Sequence, residues 1–175
     1  MVETTDYGDR ARQWWRALTG HPEGKRVDRA TVAALRRCQR PVDALMVPAT
    51  FALMQRVGWR SERGDRVTAL AAILAHVRED DTQLIARAIG HEAFGKPRQR
   101  MLSENRFRRL MQVQDADELM TGMTRLVAWM GGKANVSDLA RSVLFWTEQT
   151  RARWAYGYYG AGIANPDNVN EVSHG

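Results

Sequence analysis

The residues that could do chemistry in this chain are few, and most are badly spaced for it. His91 and Glu92 open like an HExxH zinc pattern, but Gly95 stands where the second histidine would be. His21, His76 and His174 have no ligand spacing around them. Cys38 is the only cysteine, which excludes an internal disulfide and a multi-thiolate zinc site. Its neighbours Arg37 and Arg40 would lower a thiol pKa, although a lone helical cysteine is more often a small apolar filler. Ser61, Ser103, Ser137 and Ser142 sit in no nucleophile-elbow context, and Ser137 reads as a helix cap. Glu79, Asp80 and Asp81 are contiguous, so on a helix they would point in different directions and look like a solvated helix end. Gly131–Gly132 follows a helix rather than leading directly into one, so it is not a phosphate-cradling loop. These readings leave no catalytic site, no metal site and no cofactor to expect.

Arginine is what the chain offers in quantity. The 175 residues carry 26 Lys and Arg against 20 Asp and Glu, a formal charge of +6. Only Lys25, Lys96 and Lys133 are lysines. The planar guanidinium fork suits phosphate better than an ammonium does; an arginine-favouring coding bias accounts for the ratio equally well, but not for the net charge. Lys96, Arg98, Arg100, Arg106, Arg108 and Arg109 fall within fourteen positions, opposed only by Glu104. Arg106 and Arg109 share a helix face, beside an inward stripe of Phe107, Leu110 and Met111. Such a cluster binds nucleic-acid backbone by releasing counterions, without reading sequence; in an ordinary protein it is a solvated helix face. Arg36 and Arg37 join it only if they reach the same surface. Arg16, Arg125, Lys133 and Arg141 are further candidates that could equally pair with carboxylates. Trp146 and Trp154, at helical spacing beside Leu and Val, read as core rather than as stacking platforms.

The elements that must position these groups are helical. Apolar residues, 44% of the chain, recur mostly at three- and four-residue spacing. A first helix starts between Thr4 and Asp9 and ends at Gly20. Asp28 caps a second, carrying Val32 and Leu35. A third runs from near Pro48 to Gly58. After a polar loop from Arg60 to Asp65, Val67, Leu70, Ala71, Leu74 and Val77 make one apolar face. Asp81 caps a short helix that Gly90 ends. His91 to Arg100 reads as a loop. A basic helix follows Met101, and another, starting at Asp115–Glu118, carries Leu119, Met123, Leu126, Val127 and Met130. Ser137 and Asp138 begin one last long helix reaching past Trp154. The expectation is an all-α bundle of about seven to nine helices with N-terminal and C-terminal helical portions. Residues 1–160 form a single domain, or two subdomains divided near 91–100, and 161–175 form a flexible tail. The polar start from Met1 to Arg12 is unlike a signal peptide, and no apolar run approaches the roughly 20 residues of a membrane span. A cytoplasmic location, with no membrane partner, is the default.

The motifs in order resemble the CasB family, the small subunit of the type I-E CRISPR surveillance complex Cascade. They are WWRAL at Trp14–Leu18, ALRRC at Ala34–Cys38, PATFALM at Pro48–Met54, TALAAILAHV at Thr68–Val77, SENRFRRLM at Ser103–Met111 and LARSVLFWTEQTRARWAYGYY at Leu139–Tyr159. No single one is specific; the series, covering roughly residues 10 to 159, is. The resemblance implies an all-α, non-enzymatic antiviral-defence subunit, present in two copies beside the backbone filament and the large subunit of a guide-RNA ribonucleoprotein. It implies contacts to target DNA and to the displaced non-target strand that stabilise the R-loop. Carried over by motif, the contacts are Arg36 and Arg37 in ALRRC, and Arg106, Arg108 and Arg109 in RFRRL; Lys96, Arg98 and Arg100 are added on charge alone. From the residues themselves, a sequence-specific helical DNA-binding regulator and a helical protein-interaction module remain open.

Overall fold

The computed structural model describes residues 6–21, 26–58, 64–90 and 100–160. Among them are nine α-helices, one short 3-10 helix and two strands of two residues each. The fold is all-α, as the three- and four-residue spacing requires.

Local chemistry sets the helix starts. Helix α1 (Tyr7–Thr19) is capped by Asp6, whose carboxylate accepts from the Gly8 and Asp9 amides. Helix α2 (Arg29–Arg36) is capped by Asp28, which accepts from the Thr31 amide and hydroxyl. After a 3-10 helix, Pro41–Met46, helix α3 (Ala49–Val57) ends at Gly58. Helix α4 (Gly64–Leu74) departs from the one-faced helix expected: every residue from Val67 to Leu74 is buried. It lies among the 3-10 helix, α2 and α3, and helices α7 (Ala116–Trp129) and α8 (Val136–Leu144). Its alanines let neighbours approach where larger side chains would hold them off. An all-round apolar helix of this kind is the centre of a core.

The chain leaves α4 at Leu74 and becomes extended. Strand β1 (Glu79–Asp80) pairs in parallel with β2 (Lys133–Ala134). The acidic run at Glu79–Asp81 is therefore not a solvated helix end. Glu79 pairs with Lys133 at 3.0 Å, and Asp80 pairs with Arg12 at 2.9 Å while accepting from the Val136 amide. Helix α5 (Ile85–Gly90) takes its cap from a distance: the Ile85 amide donates to the carboxylate of Asp138, 2% exposed on α8. Asp81 instead accepts from the Thr82 and Gln83 amides ahead of the helix.

The single last helix expected from Ser137 is two helices. Asn135, not Ser137, caps α8, accepting from the Asp138 amide; the Ser137 hydroxyl is buried and donates to Asp9. The helix stops at Phe145, and Thr147 caps a new one, α9 (Glu148–Tyr159), by accepting from the Thr150 amide. The break is satisfied chemically, because the Thr150 hydroxyl takes up the Phe145 carbonyl. It leaves Trp146 and Trp154 edge to face in the core, 5.3 Å between centroids. Helix α9 packs on α5 so closely that a Cβ on Gly90 would lie 2.3 Å from the Tyr158 carbonyl oxygen. One contiguous cluster of buried side chains runs from Ala11 to Tyr158, with α1 lying along α8. No described helix is long and apolar enough to cross a membrane. Of the loop expected from Arg60 to Asp65, residues 60–63 lie outside the described residues, whereas Gly64 and Asp65 already form the first turn of α4; residues 91–99 of the second expected loop and the tail after 160 also lie outside the described residues.

Candidate nucleic-acid interface

Helix α6 (Glu104–Gln112) carries Arg106, Arg108 and Arg109 of the basic cluster, and its inward face is packed into the core. Phe107 is buried and stacks on Tyr158, 3.9 Å between centroids and 3° from parallel. The Tyr158 hydroxyl donates to the Leu102 carbonyl just ahead of the helix. At the other end, Arg151 donates to the Met111 carbonyl, and the Trp146 indole to the Val113 carbonyl. These contacts satisfy polar groups that the helix terminus would leave open. They also fix which way the outer face points.

That face divides its arginines. Arg106 and Arg109 turn toward α7 and line a groove of about 570 Å³ together with Arg40 and Arg125. Its apolar lining includes Leu102, Leu110, Val113 and Leu126, together with Trp129, which is 46% exposed. The Arg106 guanidinium sits over the Trp129 ring at 4.8 Å. Two carboxylates, Asp117 and Glu118, also line the groove, and Arg40 lies 3.6 Å from Asp117. Among the described residues, Arg109 and Arg125 have no carboxylate partner. The balance in the groove is positive by two charges over an apolar floor, four guanidiniums against two carboxylates.

Arg108 points elsewhere. It pairs with Glu104 at 2.6 Å, and Glu104 also accepts from the Tyr159 hydroxyl. Arg100 lies on the same side, 4.8 Å from the Tyr158 ring centroid and 5.2 Å from that of Tyr159. Burial pushes the Tyr158 phenol up, and Arg100 partly opposes it. Lys96 and Arg98 lie outside the described residues. Arg36 and Arg37 do not reach the groove. The Arg36 Nε donates to the Ala75 carbonyl beyond the end of α4 at 2.7 Å, and the side chain lines a separate cleft. Arg37, at the end of α2, is exposed and lines neither.

Of the further candidates, Lys133 is paired with Glu79 and Arg141 with Asp6 at 3.0 Å, whereas Arg16 is exposed in the last turn of α1. Arg125 earns its place in the groove, joined by Trp129 one turn on. The sequence held a signal for this pair: Glu118, Thr121, Gly122, Arg125 and Trp129 form a stripe at helical spacing opposite the apolar face of α7. Arg40 had no such signal, since its position depends on the 3-10 helix that follows it. Cys38 follows the filler reading, and its arginine neighbours do not make it a reactive thiol. Burial, and then the Asp43 charge, push its thiol up and outweigh the opposing pull of Arg37. Its Sγ contacts the Ala34 carbonyl at 3.5 Å, as an inert filler would. Among the described residues no three His, Cys, Asp or Glu side chains are grouped to hold a metal ion.

Residues 31–159, from within α2 to the last residue of α9, match the family model of the CRISPR-associated protein Cse2. The chain belongs to the Cse2 family. The match takes in Arg36, Arg37 and the whole α6–α7 groove, and leaves α1 outside it. The CRISPR-associated protein Cse2 of Thermus thermophilus is 29% identical over 174 residues, covering 94% of this chain and 97% of that protein. The crystal structure of CasB from Thermus thermophilus superposes with a TM-score of 0.66 at 24% identity, over 87% of this chain and 97% of that one. A chain in the crystal structure of E. coli Cascade bound to a PAM-containing double-stranded DNA target gives 0.64 at 19% identity, with the same coverage. These two structures establish a shared fold. The resemblance to the CasB family read from the motif order is borne out by the Cse2 match.

Proposed function

We propose that this chain is a non-catalytic small subunit of a Cascade-type CRISPR complex, and that it holds DNA backbone to stabilise the R-loop. In this reading its partners are the guide-RNA ribonucleoprotein, the backbone filament, the large subunit, a second copy of itself, and both the target and the displaced strand. Membership of the Cse2 family supports the setting, as does the shared fold with a chain of DNA-bound E. coli Cascade. The observation that carries the nucleic-acid role is the α6–α7 groove. It gathers Arg106, Arg109 and Arg125 on one surface, none of them paired with a carboxylate among the described residues.

The energetics ask little of such a subunit. R-loop formation exchanges one duplex for another of similar stability, so a few protein–backbone contacts decide it. Contacts of about 1 kcal/mol each are enough, and arginine forks supply them. A helix–turn–helix regulator would instead project its second helix freely toward base edges. Arg106 and Arg109 are turned against α7, which disfavours that geometry.

The test is a charge reversal at both positions, Arg106→Glu with Arg109→Glu. The double variant should keep its helical circular dichroism and bind single-stranded DNA more weakly. Its salt dependence should be shallower, by about 0.7 in log–log slope for each phosphate of the single strand no longer neutralised. Unchanged binding at moderate salt would remove the groove from the nucleic-acid interface and favour an acidic protein partner there. Co-expression with neighbouring complex genes tests the setting: the chain should co-purify with a guide-RNA-bearing particle.

A further inference from the structure

The groove between α6 and α7 is graded along its length. Of the α7 residues that line it, Asp117 and Glu118 come first and Trp129 last, three turns and about 16 Å further along the helix axis. From α6, Arg106 reaches the Trp129 end. Leu110 reaches the middle, where a Cβ on Gly122 would lie 3.0 Å from its Cδ1. The carboxylates therefore sit away from the cation–π pair, and Arg125 sits one turn before Trp129. We propose that this cationic, aromatic end seats one unpaired base of the displaced DNA strand, stacked against Arg106 and Trp129, with the flanking phosphates on Arg109 and Arg125. The proposal rests on the DNA-binding reading above and adds that the groove holds a base as well as backbone.

Three features favour a base over backbone alone. The floor is apolar, with Leu102, Leu110 and Leu126 beneath it, and a phosphate gains nothing from such a surface. Asp117 and Glu118 repel a backbone laid along the whole groove, so a strand is drawn to one end. Trp129 itself is available. Trp14, Trp15, Trp146 and Trp154 are buried, and their indole N–H groups donate to Ala49, Val77, Val113 and Ser142. The stacking role that spacing denies to Trp146 and Trp154 thus falls to Trp129, 46% exposed beside three arginines. The groove volume of about 570 Å³ also suits a flat organic group, since sites for small molecules run from roughly 300 to 1,000 Å³.

An R-loop supplies one strand in the required state. The target strand is paired with the guide RNA, whereas the displaced strand has lost its complement. A base drawn from a duplex would first have to be unpaired and unstacked. Stacking on an aromatic ring or a guanidinium plane is tolerant of sequence, because every base has a π face. A seat of this kind accepts whatever sequence the guide has displaced. A set of hydrogen bonds to base edges would not.

The full-length protein is titrated with a short oligothymidylate, with an abasic oligomer carrying the same number of phosphates, and with a duplex of matching length. Affinities come from fluorescence anisotropy of end-labelled strands. Unlabelled strands are used to follow tryptophan emission, and the Trp129 part is isolated by difference from Trp129→Phe. Oligothymidylate should bind about fivefold more tightly than the abasic oligomer, the low end of one base stacked on an aromatic ring. It should quench the Trp129 emission, and the abasic oligomer and the duplex should not. Equal affinity for the two single strands overturns the base seat, and so does Trp129 emission that all three ligands change alike. The affinity comparison uses the parent protein alone, so it decides even if Trp129→Phe does not fold. Arg106→Glu with Arg109→Glu tells the two failures apart. If it weakens both single strands while the parent does not distinguish them, the groove holds backbone only. If it weakens neither, the DNA-binding reading of the groove fails with the base seat.

Discussion

The Arg106 guanidinium is held over the ring of Trp129, 4.8 Å from its centroid, rather than against a carboxylate. The distinction matters for binding. Arg108, two residues on, is paired with Glu104, which offsets much of its charge locally. An aromatic face positions a guanidinium through its quadrupole and leaves the net charge available. Trp129→Leu should therefore weaken binding of single-stranded DNA by about two- to fivefold, the equivalent of the 0.5–1 kcal/mol of an exposed cation–π contact. Because no charge is lost, the slope of affinity against salt should stay as in the parent, unlike that of Arg106→Glu. Trp129→Phe should retain most of the affinity. Fluorescence anisotropy with labelled DNA over a salt series measures both quantities. Parent-like affinity in Trp129→Leu would show that the ring does not position Arg106 for binding.

The helix starts were legible where a side chain caps its own helix. Asp28 ahead of Val32 and Leu35 is such a case, and so is Asp115, which accepts from the Glu118 amide. Reading failed where the partner is distant in sequence. Nothing around Ile85 announces that its amide is capped by Asp138, fifty-three residues away. Nothing in LARSVLFWTEQT separates a helix break at Phe145 from a continuous helix, since the deciding bonds are made by Thr147 and Thr150. The candidate site shows the same limit. The i, i+3 spacing of Arg106 and Arg109 put them on one face, and they share the groove. The adjacency of Arg36 and Arg37 implied a common role, yet Arg36 is bound to Ala75 and lines a different cleft.

The Asp138 carboxylate carries a second prediction, about stability. It is 2% exposed, accepts from the Ile85 amide at 2.9 Å, and lies 3.6 Å from Arg153. Asp138→Ala would leave a buried amide without an acceptor, at a cost of about 1–3 kcal/mol. For a domain of this size that lowers the melting temperature by about 2–4 °C per kcal/mol. Asp138→Asn keeps an acceptor oxygen and should cost less. Thermal denaturation of the three proteins checks the order, and an alanine variant that melts with the parent would mean that water replaces the cap.

His76 gives the fold a dependence on pH whose direction follows from its surroundings. Half-buried just past the end of α4, it has its pKa lowered from 6.5 first by burial and then by the Arg36 charge. In the unfolded chain the imidazole takes its proton near 6.5, whereas in the native protein it does so only at lower pH. Between the two values the unfolded state binds more protons, so stability rises with pH across that window. The contribution is complete above the unfolded value and is lost as pH falls through the folded one. His76→Gln removes the titration, so urea midpoints of parent and variant should diverge between neutral and mildly acidic pH, with the parent losing more. Parallel curves would mean that the imidazole has the same proton affinity folded and unfolded. Arg36→Gln gives an independent check of the cause: with the guanidinium gone, the His76 NMR titration should move up toward the unfolded value but stop short of it, because burial still disfavours the imidazolium.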